Sequence, residues 1–489
     1  MGATDCEPKP AAGALRRTAE RCPSRPALSR RSVLAAGAAA VALSTLSGCA
    51  SPEAPLTTPP DPEPLDDLAH LRRGGDPIVA GEVLDGTLLR RFYARRGFEP
   101  VWTTRPALAA RFAESVLRSA DHGLDPDLFH ASLLWRAAMF PPLRRELLLS
   151  HAVLAYAEAL SAGGVPAGRR LPREDLLPEP VDVAAVLDRA LESADPVGVI
   201  ESLAPATETY SALREALRRH RSGAAAAPGA ADPRPLIAAN LERQRWLPRR
   251  LPADRVWVNV ADQRLVVYRD DRPVFTTRVI VGEETERKQS PEFQAVIEGA
   301  FLNPPWIIPA DIVAAEILPK LEEDPEFLAR NGIALRPNGE AEQAPGPLAG
   351  LGVIMFDMPN RFDVYLHDTP DKTAFDRENR RLSNGCIRVE KPLHLAALLM
   401  GEPLEAIHER VATGETVRKP LREPVPVFVL YHTAFTAKDG RLEIRPDFYG
   451  RDVTLWRRLH KHAPEPRPPA AGQAKTSGRD ARPRRLAPR

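Results

Sequence analysis

Apolar positions recur along this chain with two different periods, and the period changes near residue 250. Over 77–220 the spacing is helical: Leu84, Leu88, Leu89 and Phe92, then Leu108, Phe112 and Val116, then Leu147, Leu154 and Leu160 more loosely. His122-Gly123-Leu124-Asp125-Pro126 reads as a helix stop and a fresh start. A further helix is predicted over 235–246. Beyond it come β-rich runs over 256–260, 265–268, 274–281 and 293–303, the first three separated by Asp262-Gln263-Arg264 and Asp270-Asp271-Arg272 turns. Residues 311–318 read as a helix broken at Pro319, 325–330 as a second short helix, and 331–352 as a loop. Together, over about 307–352, these predict an insertion lying as a lid over the open end of the β domain. Strands return at 353–356 and 362–366, a helix at 393–400 and a late strand at 425–432.

Composition places the boundaries. The chain has 489 residues, enough for two or three domains, and 51 prolines concentrated between the periodic segments. Linkers are expected over 49–76 and 222–234, with a basic, Pro-rich disordered tail over 456–489. From residue 461 onward that tail holds eight Lys/Arg against two Asp/Glu, in a chain whose formal net charge is +2. It would rest on anionic lipid or wall polymer, or simply be a solvated end. No aromatic residues interleave with its arginines, so nucleic acid is not an expected partner.

The first 48 residues read as a targeting segment. Ser29-Arg30-Arg31-Ser32-Val33-Leu34 has a twin-arginine look and leads into an apolar run over 33–46, shorter than the ~20 residues of a spanning helix. The run ends in Leu46-Ser47-Gly48-Cys49, which resembles a bacterial lipobox, with Cys49 as the lipidated residue. The expectation is a periplasmic, lipid-anchored protein exported by the twin-arginine route, at the outer membrane more than the inner because Ala50 follows the cysteine. Of the four cysteines, Cys6 and Cys22 would be removed with the signal and Cys49 acylated, leaving Cys386 as one free thiol in an oxidising compartment. Such a thiol is a liability unless chemistry needs it.

Cys386 sits in Ser383-Asn384-Gly385-Cys386-Ile387-Arg388, and His367 closes the apolar run Val364-Tyr365-Leu366 nineteen residues earlier. That distance suits a nucleophile and a base brought together by the fold. An ordinary thiol, with a pKa of ~8.5, needs a base or a positive neighbour to ionise at neutral pH. His367 is the candidate base. Gly385 would let main-chain N–H groups, that of Cys386 among them, approach an oxyanion. Arg388 would orient the loop, bind a substrate carboxylate, or form a structural salt bridge. Ser383, Asn384, Tyr365 and Trp306 are further candidates for substrate contact. His408-Glu409-Arg410-Val411-Ala412 lacks the second histidine of a zinc-hydrolase helix, so neither a metal nor another cofactor is expected.

His367-Asp368-Thr369-Pro370 followed by Ser383-x-Gly385-Cys386-Ile387-Arg388-Val389 resembles the YkuD-type L,D-transpeptidases, and in particular their large YcbB-like branch. Phe92-Tyr93-Ala94-Arg95-Arg96, Asn240 to Pro248, Asn303-Pro304-Pro305-Trp306 and Phe448-Tyr449-Gly450-Arg451-Asp452 extend the likeness over roughly 80–455. The resemblance implies an α+β protein: a helical scaffold domain over 77–221 and a β-sandwich-like catalytic domain over 235–455 carrying the capping insertion. It also implies that the backbone carbonyl of Asp368 orients His367. The implied reaction is acyl transfer from a tetrapeptide stem of peptidoglycan to Cys386, with release of D-alanine. Attack by the amine of a second stem then joins two third-position diamino acids; water or a free D-amino acid as acceptor would give a carboxypeptidase or an exchange enzyme. Stem peptides, the membrane and other cell-wall enzymes are the expected partners. The commoner motif has histidine where Asn384 stands, and asparagine cannot carry a proton. A lipid-anchored, non-enzymatic wall-binding scaffold is the rival reading, and it leaves Cys386 without a purpose.

Overall fold

The computed structural model describes residues 67–221 and 232–460. The signal segment, Cys49 and the tail from 461 onward lie outside the described residues, as do 222–231 of the expected linker. Among the described residues, no helix is long and apolar enough to cross a membrane.

The helical region is built on Pro142–Ala162, whose Leu147, Leu148, Val153, Leu154 and Leu160 are fully buried on several sides. A helix apolar around most of its circumference belongs at the centre of a bundle, which is why its leucine spacing looked loose. Gly86–Ala94, Pro106–Leu117, Val183–Ala190 and Glu208–Arg221 contribute to the same core. Two short strands, Ile78–Val79 (β1) and Glu82–Val83 (β2), form a hairpin at the start. The expected stop is present: Gly123 takes a left-handed φ of 70° and Asp125 caps the next turn.

Two expected boundaries move. The linker predicted to run to residue 76 ends earlier, because Asp67–Arg72 is a helix and its Leu71 is fully buried. The tail predicted from 456 starts later, because Arg451–Arg458 is one helix and Leu455 and Leu459 are buried. Both leucines, together with Arg234–Arg245, enter the core of the helical region. The bundle also supplies Glu174–Asp175 (β3) to the sheet of the second region.

That sheet begins with a meander of Arg255–Asn259 (β4), Arg264–Arg269 (β5) and Arg272–Gly282 (β6). Asp270 and Asp271 both have positive φ, 49° and 60°, the signature of a two-residue hairpin turn whose twist matches the strands. Glu292–Leu302 (β7) continues the sheet. The capping insertion follows, with Trp306–Ile308 (β8), Ile333–Leu335 (β9) and Ala341–Gln343 (β10) in the order β8-β10-β9. Ile354–Asp357 (β11), Leu366–His367 (β12), Arg381–Ser383 (β13), Ile387–Val389 (β14) and Val417–Leu430 (β15) complete the main sheet. The ladder runs β11-β12-β14-β6-β5-β4-β15-β7, and β7 pairs with β11, so the hydrogen bonding returns to its start. The sandwich-like layers are thus opposed parts of one closed sheet around one core, which Leu395, Leu399 and Ile407 of the helices Pro392–Met400 and Leu404–Ala412 help to fill.

The insertion has a core of its own: Ile308, Val313, Ile317 and Ala341. The stretch 331–352, expected as a loop, contains the β9–β10 hairpin. Pro319 does not break the helix either. It falls in the first turn of Leu318–Glu323, directly after a π-helical turn over Val313–Ile317, where a missing N–H costs little. The strand expected over 362–366 shrinks to β12. Asn360 closes the preceding segment, donating to the Met358 and Val364 carbonyls and accepting from the amides of Phe362 and Val364. These side-chain bonds take the place of a ladder.

Candidate active site

Parallel pairing of β12 with β14 brings the histidine and the cysteine together. Leu366 lies opposite Ile387 and His367 opposite Arg388. Leu366, Ile387 and Val389 are fully buried in the sheet core, so strand alternation turns His367, Cys386 and Arg388 to the other face. Tyr365 accepts a hydrogen bond from the Ile387 amide (2.9 Å), which locks the register beside the sulfur. Two residues nineteen apart in sequence thereby share one face of neighbouring strands.

His367 is buried, and its Nδ1 lies 2.5 Å from the Asp368 carbonyl oxygen. The Asp368 carboxylate is occupied elsewhere, accepting from the Val353 amide (3.0 Å) and pairing with Lys372. Burial, and next the positive charge of Arg388, lower the imidazole pKa to about 4; the Asp368 and Leu351 carbonyls pull the other way. His367 is therefore neutral at neutral pH and able to take a proton.

The Cys386 sulfur is 3.7 Å from the Asp363 carbonyl. Burial pushes its pKa up, while the Tyr365 main-chain amide and Arg388 favour the thiolate and Asp363 opposes it. At rest the pair is a neutral thiol and a neutral imidazole. The turn before the sulfur is cross-braced: Ser383 Oγ donates to the Cys386 carbonyl (2.5 Å) and accepts from the Gly385 amide (3.2 Å). Gly385 has a φ of +118°, a conformation reserved for glycine, and its carbonyl accepts from Ser290 Oγ (2.8 Å). Because the Gly385 amide is engaged by Ser383, the amide of Cys386 itself is the better-placed main-chain donor for an oxyanion.

Arg388 makes no ion pair among the described residues, and its buried Nε has no hydrogen-bond partner. The salt-bridge alternative is therefore not realised. A guanidinium left unpaired beside the thiol is suited to a carboxylate that arrives with substrate. Asn384 donates to Glu316 Oε1 (2.9 Å) in the π-helical turn of the insertion, and Lys288 donates to the same oxygen (3.2 Å). Trp306 belongs to the insertion, half-buried opposite Gln343 and close to Gly350, so packing within the lid accounts for it. Three residues of this neighbourhood were not singled out from sequence. Ser290 braces Gly385, Glu316 meets Asn384, and Leu351 presents its carbonyl to His367. Ser290 and Glu316 lie far from the motif in sequence, Leu351 acts only through its main chain, and only the serine before Pro291 carries even a local turn signal.

A family model described as a scaffold domain matches residues 87–217, and a second, described as an L,D-transpeptidase catalytic domain, matches 253–427. The chain carries a YkuD L,D-transpeptidase catalytic domain behind a scaffold domain. Cys386 and His367 both fall within the matched catalytic segment. A Haemophilus influenzae protein named "Putative L,D-transpeptidase" is 33% identical over 239 residues, covering 44% of this chain and 48% of the relative. The chain thus matches about half the length of that curated relative. The Ldtfm–avibactam carbamoyl enzyme aligns over 37% of this chain and 49% of its own at 13% identity, with a TM-score of 0.20, too low to carry an argument. Among the described residues, no group of three or more His, Cys, Asp or Glu is placed to hold a metal ion.

Proposed function

We propose that the chain is a peptidoglycan L,D-transpeptidase with Cys386 as nucleophile and His367 as base. The observation that carries this is the shared face of β12 and β14, where a half-buried thiol immediately before β14 and a neutral imidazole at the end of β12 lie beside an unpaired guanidinium. The imidazole takes the thiol proton as sulfur attacks the carbonyl between the third residue of a tetrapeptide stem and its terminal D-alanine. The Cys386 amide stabilises the oxyanion. The proton then passes to the departing amine, D-alanine leaves and a thioester remains. The side-chain amine of a diamino acid on a second stem attacks the thioester, loses a proton to His367 and regenerates the thiol. Arg388 would hold a stem carboxylate. Lipidation at Cys49 and export by the twin-arginine route would keep this chemistry at the wall.

Incubating the purified chain with defined tetrapeptide muropeptides, followed by mass analysis, tests the reading. The expected products are free D-alanine and dimers linked between third residues. Intact tetrapeptides after incubation with folded protein would overturn it, while tripeptide monomers alone would make the enzyme a carboxypeptidase acting through the same thioester.

A further inference from the structure

The stretch Phe448-Tyr449-Gly450-Arg451-Asp452 has no place in the chemistry above, yet it reaches the Cys386 turn through one fully buried side chain, Ser290. Ser290 Oγ donates to the Gly385 carbonyl (2.8 Å) and accepts from the Gly282 amide (3.0 Å). The Gly385 carbonyl and the Cys386 amide belong to one planar trans peptide, in which C=O and N–H point in opposite directions. Fixing the carbonyl therefore aims the N–H that would meet an oxyanion. The same bond polarises the peptide and makes that N–H a stronger donor.

Ser290 is itself held by Tyr449 and Arg451. Its amide donates to the Tyr449 hydroxyl (3.3 Å), and that hydroxyl donates to the Gly282 carbonyl (2.6 Å). Arg451 Nη2 donates to the Ser290 carbonyl (2.9 Å) and to Gln289 Oε1 (3.0 Å). Gly282 makes the close approach possible, since a Cβ there would fall 2.0 Å from the Lys288 carbonyl oxygen and 2.6 Å from the Ser290 nitrogen. Gly282 also pairs with Ser383 where β6 meets β13, so the Tyr449 hydroxyl holds backbone leading to both ends of the turn. The two holding side chains are fixed in their turn. The Tyr449 ring stacks on Tyr431 with centroids 5.1 Å apart, and the Arg451 guanidinium lies over both rings at 4.7 Å and 4.9 Å. Packing alone would need the rings. The convergence of a hydroxyl and a guanidinium on the main chain of Ser290 asks for a further reason.

We propose that Tyr449 and Arg451 are positioning residues for acyl transfer, setting through Ser290 the direction of the Cys386 amide that receives the oxyanion; this rests on the reaction proposed above. Two reagents that meet the same sulfur test it in the full chain. A carbapenem acylates the thiol through an oxyanion, whereas iodoacetamide alkylates it by displacing iodide and forms none. Tyr449→Phe, which removes only the hydroxyl, should slow carbapenem acylation about tenfold and leave alkylation within about twofold. With a tetrapeptide, kcat should fall by a similar factor and KM stay within about twofold, because the oxyanion exists only beyond the ground state. Arg451→Lys keeps the charge near Glu292 but loses the planar fork that spans Ser290 and Gln289, and should show the same pattern. Ser290→Ala should show the full loss, and adding Tyr449→Phe to it should cost less than a further twofold or so, since the hydroxyl acts through Ser290. Unchanged acylation in Tyr449→Phe, equal slowing with both reagents, or losses that multiply in the double variant would each overturn the assignment. A wild type that is alkylated but never acylated would overturn the reaction instead. Amide exchange at Cys386 then judges the brace alone: Tyr449→Phe should speed it about tenfold, and an unchanged rate would overturn the brace as well.

Discussion

Asn384 Nδ2 donates to Glu316 Oε1 across 2.9 Å, tying the turn that carries Cys386 to the lid. Burial works against the Glu316 carboxylate, yet the Asn384 and Lys288 hydrogen bonds hold its pKa below the usual range. The site is partly exposed, so the bond stabilises the closed lid by about 1 kcal/mol. Asn384→Ala should lower kcat/KM roughly fivefold and speed amide exchange over 313–323. Asn384→His, which still offers a donor to Glu316, should stay near wild type. Equal exchange rates in Asn384→Ala and wild type would show that the bond does not hold the lid.

Cys386→Ala should abolish acyl transfer and leave the melting temperature within about 2 °C, because no core contact depends on the sulfur. Trapping by a carbapenem, read as an intact-mass adduct, should occur in the wild type and vanish in this variant. His367→Ala should be nearly as severe in rate. Third-to-third cross-links formed by Cys386→Ala would remove the nucleophile assignment.

Both site groups are shifted toward their neutral forms, and this fixes the pH behaviour. His367 has a folded pKa of about 4 against an unfolded 6.5, so the unfolded chain binds the extra proton between those values. Its contribution to stability is complete above pH ~6.5 and is lost as pH falls toward ~4. His432, held neutral by burial with a pKa of about 3, adds loss in the same direction and extends it lower. Stability measured by denaturant titration should therefore decline from pH 7 to pH 4. Alkylation of Cys386 in the free enzyme should still be rising above pH 8, since burial raises the thiol pKa. A plateau near pH 6 would mean a pre-formed thiolate–imidazolium pair.

Gly385→Ala isolates backbone strain. A Cβ there would meet nothing closer than 3.8 Å, so the cost is conformational and should be about 1–3 kcal/mol. If the turn relaxes instead, the bonds to Ser383 and Ser290 shift, and activity should fall more than stability. Thermal melts and turnover measured on one preparation separate the two outcomes.

Arg243, fully buried on Arg234–Arg245, pairs with Asp452 at 2.5 Å and faces Glu292 at 3.8 Å. Removing it as Arg243→Ala leaves buried carboxylates uncompensated, and about 3–5 kcal/mol of stability should be lost in denaturant unfolding. A loss below 1 kcal/mol would mean that Arg451, which lies 3.4 Å from Glu292, takes over.

The meander β4–β6 and the Cys/His motif were legible because both are written locally, in alternating Val, Leu and Ile and in turn residues such as Asp270-Asp271. The closure of the sheet was not, since β7 meets both β11 and β15 through pairings more than 50 residues apart. The lid was underestimated for a related reason. Its hairpin strands are three residues long, and its π-helical turn overrides the usual reading of Pro319. At the site, the motif pointed to the Cys386–His367 pair but not to the partners that fix it. Ser290, Glu316 and Leu351 act through one hydroxyl, one carboxylate and one carbonyl, none of which leaves a pattern in sequence.

The parallel pairing of β3 with β7, together with Phe428, Leu430 and Leu455 in the helical core, bears on how this chain can be cut or recombined. A fragment confined to the catalytic match would bare the edge of β7 and strip the apolar cover from its own last strand. Such a piece should precipitate on expression, so grafting it onto a foreign bundle requires carrying Glu174–Asp175 and the helices Arg234–Arg245 and Arg451–Arg458 along with it.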